Sequence, residues 1–211
     1  MSSRIDHVVI GAANLTSGSS ILETKLNTKF SPGGEHKVMG THNRLIKLQS
    51  NIYLEVIAIN PNVDKPTRPR WFSLDELNIK EKIKNSPRAL CWVLEVDNIE
   101  DTVKKCGYNP GEILLLSRDD LTWKVTIPSD GKLVESGVLP ILIEWPCNQH
   151  PSEKLNNTKV SLKKLSLFHP EPNKIQKIIS NLIESDLINI SEGIPKMELI
   201  LATKNGKVVI D

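Results

Sequence analysis

Apolar and polar residues follow two spacings along the chain, and these spacings predict a series of strands and helices. Ile5–Ile10 is an apolar run that predicts a buried strand, and Asn14 is a candidate N-cap for a helix with leucines at helical spacing. Thr41–Leu48 alternates polar and apolar residues, as half-buried strands do, and Ile52–Ile59 is a β-branched run. This part of the chain predicts the order strand, helix, short strand, strand, strand.

The same order recurs after a loop rich in proline and charge. Ala89–Val96 predicts a strand, and Asp97 or Asn98 caps a helix with acidic residues in its first turn and lysines in its last. Three further strands are predicted at Glu112–Leu116, Leu121–Ile127 and Leu139–Trp145. An internal repeat of this kind predicts a fold built from two copies of one βαβββ module.

A third and shorter copy follows a predicted linker at His150–Thr158. Val160–Phe168 alternates as a strand does, and Pro172 opens the cleanest amphipathic helix of the chain. Two strands then meet near Asn205, where Asn-Gly is a strong hairpin signal. We expect one domain over residues 1–150, with modules 1–60 and 88–147, and a shortened βαββ module over residues 158–211 packed on it.

Composition narrows the classes of function. The chain has 27 basic and 25 acidic residues, and a net charge of +2 argues against nucleic-acid or membrane-surface partners. No apolar run reaches membrane-spanning length, and the first residues lack the plan of a signal peptide. The three cysteines are widely spaced and odd in number, which predicts reduced thiols and a cytoplasmic protein.

Several motifs resemble one known family. The strand Ile5–Ile10 with its Asn14 cap, the string Gly40-Thr41-His42-Asn43-Arg44-Leu45 and the strand Tyr53–Ala58 resemble the glyoxalase-like domain proteins of the vicinal oxygen chelate superfamily. Later matches are Trp92, Trp123, Leu139–Trp145, His150-Pro151 and His169-Pro170. The resemblance implies an α+β fold in which paired βαβββ modules form a cup-shaped mixed sheet.

The resemblance also implies a divalent metal inside the cup. Its ligands would be His7 and Glu55 from the first module and Glu144 from the second, with Cys91 at the position that matches His7. Imidazole and carboxylate ligands suit zinc, nickel, cobalt, manganese or iron, whereas a thiolate favours zinc. Alternatively, Cys91 is a small buried hydrophobic residue and His7 a hydrogen-bonded core residue.

The two acids carry the best functional signal. Glu55 and Glu144 each interrupt an apolar strand, and burying an unpaired carboxylate costs several kcal/mol, about the penalty for an unpaired buried charge. Each acid therefore binds a ligand, pairs with a cation or faces a cavity. A core salt bridge to Arg44 or Arg118 is the structural alternative.

Other polar residues are candidates for substrate binding or proton transfer. His42 or His36 is expected to act as a general base, although both could instead hold the hairpin by hydrogen bonds. His42 and Asn43 are strand neighbours, so their side chains point to opposite faces. Arg44 and Arg118 would suit a carboxylate or phosphate group, and solvation at the surface is their alternative role.

Aromatic residues complete the candidate site. Trp92 and Trp123 are expected in the core and the pocket wall, and Trp71-Phe72 either forms a lid over the cup or packs over a helix. His150 precedes a proline and is interpreted as loop structure. The predicted substrate-binding set is Asn43, Arg44, Cys91, Trp92, Arg118 and Trp123.

These candidates lead to three functional hypotheses. The first is a metal-assisted lyase or isomerase that acts on a small polar metabolite in the cup. The second is a metal-free protein that sequesters a small molecule, and the third is a scaffold that pairs two chains as a homodimer. The sequence contains no phosphate-cradling glycine loop, so no nucleotide cofactor is expected.

Overall fold

Two repeated modules lie side by side in one curved sheet. The computed structural model describes residues 3–146 and 150–211; Met1, Ser2 and residues 147–149, which include Cys147 and the end of the second predicted module, lie outside the described residues. The first module contains β1 (Ser3–Gly11), α1 (Leu15–Leu26), β2 (Gly34–His36), β3 (Thr41–Lys47) and β4 (Tyr53–Ile59). After α2 (Leu77–Ile83), the second contains β5 (Arg88–Val96), α3 (Ile99–Lys105), β6 (Glu112–Arg118), β7 (Leu121–Ile127) and β8 (Ile141–Glu144).

The strand order is β2-β3-β4-β1-β5-β8-β7-β6. β1 and β5 pair antiparallel at the centre and join the modules, while each pairs in parallel with the last strand of its own module. The sheet curves so strongly that its two edge strands nearly meet: Gly34 of β2 lies against the side chain of Arg118 of β6. The expected α+β fold with paired βαβββ modules and a cup-shaped mixed sheet is confirmed.

Local sequence signals start both module helices. The Asn14 side chain accepts a hydrogen bond from the backbone N–H of Ser17 at 3.0 Å, and the Asn98 side chain accepts one from Asp101 at 2.8 Å. These caps satisfy donors that have no partner inside the helix. The same cap at the same place in both modules supports the alignment of Asn14 with Asn98.

Strand alternation divides the interior into two cores. Val8, Trp92 and Leu142 point to the outer core beneath the helices, whereas Val93 and Ile143 point into the concave side of the sheet. We call this concave side the cup. Because neighbouring residues on a strand face opposite sides, one register determines which side chains reach the cup.

The C-terminal unit forms a second sheet with order β10-β9-β11-β12. It contains β9 (Ser161–His169), α4 (Pro172–Ser180), β10 (Ile188–Glu192), β11 (Lys196–Thr203) and β12 (Gly206–Ile210). The half-buried β10 is one strand more than the sequence predicts, so this copy is βαβββ rather than βαββ. Leu165, Leu167 and Leu199 join the outer core, on the side away from the cup.

Candidate active site in the sheet cup

A cavity of about 40 Å³ lies in the cup. By the usual requirement of about 10–15 Å³ for each water molecule, it holds only a few water-sized groups. Its polar lining comes mainly from the first module, and its apolar lining comes mainly from the second. The residues that line it include His7, His36, Asn43, Tyr53, Glu55, Arg118, Trp123, Ile141, Ile143 and Trp145.

A β-bulge builds the polar centre of the cup. Ile5 pairs with Leu94 and His7 pairs with Val93, so Asp6 is the extra residue on β1. Ile5 therefore lies in the outer core, whereas His7 faces the cavity. The bulge lets adjacent side chains meet, and His7 Nδ1 hydrogen-bonds to the Asp6 carboxylate.

His7 bridges two buried carboxylates. Its second nitrogen, Nε2, lies 3.5 Å from Oε2 of Glu55 on the neighbouring strand β4. The ring stacks on Tyr53 with 4.4 Å between ring centroids, which holds its plane. Asp6, His7 and Glu55 thus form a chain whose orientation is set at both ring nitrogens.

Charge pairing outweighs burial at both ends of this chain. Burial lowers the pKa of His7, but the charge of Asp6 and the bonds from Asp6 and Glu55 raise it to about 9. Burial raises the pKa of Glu55, but the bond and charge of His7 lower it to about 2. At neutral pH His7 is an imidazolium and Glu55 is a carboxylate.

Asp6 is fully buried and accepts two further hydrogen bonds. Trp145 Nε1 donates to its Oδ2 at 2.8 Å, and His150 Nε2 lies 2.9 Å from the same oxygen. Burial raises the pKa of Asp6, but the charge of His7 and the bonds from His150 and His7 hold it well below its usual range. Three donors therefore keep Asp6 ionised and in place.

Asn43 connects Glu55 to the edge of the cup. Its Nδ2 donates to Glu55 Oε1 at 2.5 Å, and its Oδ1 accepts from the Gly34 N–H and from Arg118 Nη1, each at 3.0 Å. Arg118 thereby joins β6 to the first module across the seam of the sheet. Asn43 and Arg118 both line the cavity, and their predicted role in substrate binding stays a prediction.

His36 is a neutral base beside this chain. Its Nδ1 lies 3.2 Å from Thr41 Oγ1, and its Nε2 lies 3.4 Å from Asn43 Nδ2. Burial lowers the pKa of His36 to about 4, although the charge of Glu55 opposes the shift. The rings of Trp71 and Trp123 each pack against its ring in a T-shaped arrangement.

The loop residues Trp71 and Phe72 cover the cavity, which agrees with the expected lid over the cup rather than with packing over a helix. Both are buried, and Trp71 Nε1 donates to Thr41 Oγ1 at 3.2 Å. Arg70 Nε donates to the carbonyl of Gly40, just before β3, and the Ser73 N–H donates to the carbonyl of Gly131 in the second module at 2.9 Å. The loop therefore spans both modules.

The prediction that Glu144 lies with His7 and Glu55 is wrong. Its Oε2 accepts the Ile99 N–H at 2.7 Å at the start of α3, and its Oε1 lies 3.1 Å from Lys124. Glu144 alternates with Ile143, which lines the cavity, so it faces the helix side. It caps a helix and pairs with a lysine.

Three other candidates also face the helix side. His42 and Arg44 flank the cavity-lining Asn43 on β3 and point away from it, and burial lowers the pKa of the half-buried His42. Trp92 lies in the outer core, where its Nε1 donates to the Val138 carbonyl at 2.9 Å. Trp92 therefore lies in the core, as expected, but not in the pocket wall. Because neighbouring residues of a strand face opposite sides, His42 and Arg44 point away from the cup that Asn43 faces.

The register between strands identifies the counterparts of His7 and Glu55. Aligning Asn14 with Asn98 pairs His7 with Cys91, as expected. Val9 is opposite Glu55 in the first module and Val93 is opposite Ile141 in the second, so Ile141 matches Glu55. Cys91 is fully buried on the cup side, and burial, with the nearby Glu55 charge, raises its pKa well above the usual value.

A separate group of possible metal ligands lies beside Asp6. Asp6, Glu95 and His150 each present one ligand atom, and these atoms lie within 4.8 Å of one another. These atoms already have hydrogen-bond or ion-pair partners. Asp6 accepts hydrogen bonds from Trp145 and His150, and Glu95 Oε2 lies 2.6 Å from Arg4 Nε. A metal here would have to replace those partners.

Sequence reasoning missed the central role of Asp6 and the support from Tyr53 and His150. Tyr53 lies two residues from Glu55, so parity alone indicates that both face the cup. Asp6 precedes His7, and parity would separate them unless a bulge intervenes. His150 gives no local signal, because its contact with Asp6 joins distant parts of the chain.

None of the described helices is long and apolar enough to cross a membrane.

No curated protein is significantly similar to the chain. A hypothetical protein from Staphylococcus aureus is 16% identical, with a TM-score of 0.60 over 100% of this chain and 86% of its own. Methylmalonyl-CoA epimerase from Streptomyces coelicolor is 15% identical over 68% of this chain and 98% of its own, with a TM-score of 0.45. The epimerase from Mycobacterium tuberculosis is 16% identical over 67% of this chain and 87% of its own, with a TM-score of 0.42.

The family assignment comes from the sequence as a whole. The family model described as glyoxalase-like domain matches residues 5–183, which include both paired modules and the start of the C-terminal unit. The chain therefore belongs to the glyoxalase-like domain family.

Proposed function

We propose that the protein is an enzyme of the isomerase or lyase type that binds a small polar metabolite in the cup and transfers a proton on it. The observation that carries this proposal is the buried chain Asp6–His7–Glu55, whose His7 Nε2 and Glu55 Oε2 meet at the cavity, 3.5 Å apart. An imidazole and a carboxylate at this separation supply an acid and a base. Asp6 orients the ring from behind, as a carboxylate does in other acid–base sites.

Each charged group of the pair perturbs the pKa of its partner. In the free protein the mutual attraction makes Glu55 a weak base and His7 a weak acid. A metabolite that enters between them separates the charges, so the pKa of Glu55 rises and that of His7 falls. Glu55 then accepts a proton from the metabolite, and His7 Nε2–H donates to the oxygen that gains charge.

The residues do not fit the four-ligand metal site that the superfamily implies. His7 and Glu55 offer donor atoms to the cavity, but Ile141 has none, and Cys91, although buried on the cup side, is not among the residues that line the cavity. Catalytic zinc sites typically have three protein ligands, so two are too few. We therefore derive no step through a metal.

Exchange of metabolite hydrogens with deuterium in D₂O tests the proposal. The metabolites are two- and three-carbon 2-hydroxy acids and pyruvate, each with its amide, and proton NMR measures the exchange. We expect exchange with the wild type and a loss of about 10²- to 10⁴-fold in His7→Asn and Glu55→Gln. Glu144→Gln, which removes a carboxylate from the helix side, is the matched control and should exchange at the wild-type rate.

Two results would contradict the proposal. One is exchange that neither His7→Asn nor Glu55→Gln slows. The other is exchange that a chelator abolishes and added zinc restores, which would reinstate the metal mechanism.

A metal-free binding protein is the second candidate. The aromatic walls favour it, because Trp71, Trp123 and Trp145 surround the cavity and offer flat apolar surfaces to a ligand. It predicts quenching of tryptophan fluorescence by a metabolite without any hydrogen exchange. Observing both quenching and exchange favours the enzyme.

A further inference from the structure

Arg118 has an unused hydrogen-bond donor in the cup. Its side chain is only 11% exposed, yet its Nε has no hydrogen-bond partner among residues 3–146 and 150–211. Its Nη1 is engaged by Asn43, and the nearest carboxylate oxygen, Oδ2 of the largely exposed Asp119, lies 3.7 Å from Nε. A buried Nε–H without an acceptor is costly unless a ligand supplies one.

We propose that Arg118, which lines the cavity and has an unpaired Nε–H, binds a carboxylate of the substrate, so the metabolite is a small carboxylic acid; this inference rests on the proposed function. A guanidinium forms two parallel hydrogen bonds with a planar carboxylate, which fits the free Nε side. The small cavity favours this group over a bulkier anion.

Asn43 sets the relation between this anchor and the proton-transfer pair. Its amide touches Arg118 through Oδ1 and Glu55 through Nδ2. A carboxylate held by Arg118 therefore lies one amide away from Glu55, which directs the adjoining carbon atoms of the acid toward the His7–Glu55 pair. Arg118 acts here as a binding residue and Asn43 as a positioning residue.

Gly34 makes the position of Arg118 possible. A Cβ at residue 34 would lie 2.5 Å from Arg118 Cδ and 2.9 Å from Nε. Gly34→Ala would push the arginine aside while it keeps the guanidinium, and a flexible side chain can yield without large loss of stability. Gly34→Ala therefore tests whether binding needs the guanidinium at this position or only a positive charge nearby.

Calorimetric titration of the full chain tests the inference. The probes are acetate, glycolate and pyruvate, each paired with its neutral amide, together with inorganic phosphate. We expect the acids to bind more tightly than the amides and phosphate, and Arg118→Met to weaken acid binding about 10- to 100-fold, the value of a charge-assisted hydrogen bond. Arg118→Lys and Gly34→Ala should also weaken it, whereas Lys163→Met, which removes an exposed cation from the C-terminal sheet, should not.

The outcomes separate this inference from the proposed function. Acid binding that depends on Arg118 but comes without deuterium exchange supports the inference and contradicts the proton transfer. Exchange that is as fast for the amides as for the acids overturns the inference alone. Tight binding of phosphate without the acids, no acid binding at millimolar concentration, or an unchanged affinity in both Arg118→Met and Gly34→Ala also overturns it.

Discussion

The two paired modules share one backbone plan but differ in chemistry at matched positions. Where the first module has His7 and Glu55, the second has Cys91 and Ile141. The first supplies the charged chain and the neutral His36, and the second supplies aromatic and aliphatic walls with Arg118 at its edge. The two modules therefore contribute different parts of one cavity lining, the first mainly polar and the second mainly apolar.

This difference shows what the fold itself requires. Both modules keep the apolar alternation and the asparagine helix cap, because these maintain the cores and the helices. The buried charges of the first module are not part of the shared plan, since Leu90, Cys91 and Ile141 take the matched positions in the second module. A polar network outside the shared plan indicates function.

The largest expected effect comes from removing Asp6. Asp6→Ala leaves the donors of His7, His150 and Trp145 without their acceptor, which should lower the free energy of unfolding by about 3–5 kcal/mol. Urea denaturation measures the loss. Leu90→Ala, at the matched place in the second module, should also destabilise but should leave the pH dependence of stability unchanged.

The pH dependence of stability should come from the first module. Between pH 6.5 and about 9 the folded protein retains a His7 proton that the unfolded chain has lost, so the free energy of unfolding falls as pH rises. Between pH 6.5 and about 4, His36 is protonated in the unfolded chain but still neutral in the folded protein, whose His36 pKa is about 4. Between pH 4.5 and about 2, Glu55 is likewise protonated in the unfolded chain but still ionised in the folded protein. Stability therefore falls on the acid side as well.

We expect maximum stability near pH 6.5, where these opposing slopes meet. Urea denaturation across the pH range provides the curve. His7→Asn should flatten its alkaline side and His36→Asn its acid side, with Lys163→Met as the control. An alkaline side that His7→Asn leaves unchanged would disprove the assignment.

A smaller effect is expected at Glu144. Glu144→Gln weakens its bonds to the Ile99 N–H and Lys124, which should cost about 1 kcal/mol, as for other caps at helix starts. Thermal or urea unfolding measures this cost. Loss of ligand binding in this variant would return Glu144 to the site and weaken the contrast between the modules.

The smallest expected signal is at Cys91, whose thiol we expect not to react with a labelling reagent. Its thiol is fully buried and its raised pKa keeps it protonated, so a disulfide reagent should not modify it in the native protein. Mass spectrometry of peptides after labelling locates any modified cysteine. Rapid modification of Cys91 near neutral pH would indicate an accessible thiolate, which is the state that a metal ligand requires.

The sequence is sufficient to predict most strands and both capped helices, because periodicity and Asn caps are local signals. It also indicates His7, Glu55 and Asn43 as neighbours in the cup. The alternation of faces within each strand can be predicted, but not which of the two faces turns toward the cup. The predicted places of Glu144 at the metal site and of Trp92 in the pocket wall are therefore wrong, whereas the core position of Trp92 holds. A single bulge at Asp6 moves that residue beside His7, and pairing between distant strands determines it.

Titration of the His7 imidazole by NMR tests the central claim, a charged acid–base chain confined to the first module. The signals of His7 can be assigned by their loss in His7→Asn. We expect an imidazolium that persists above neutral pH and titrates at about 9. A neutral His7 that titrates at or below its ordinary 6.5 would contradict it.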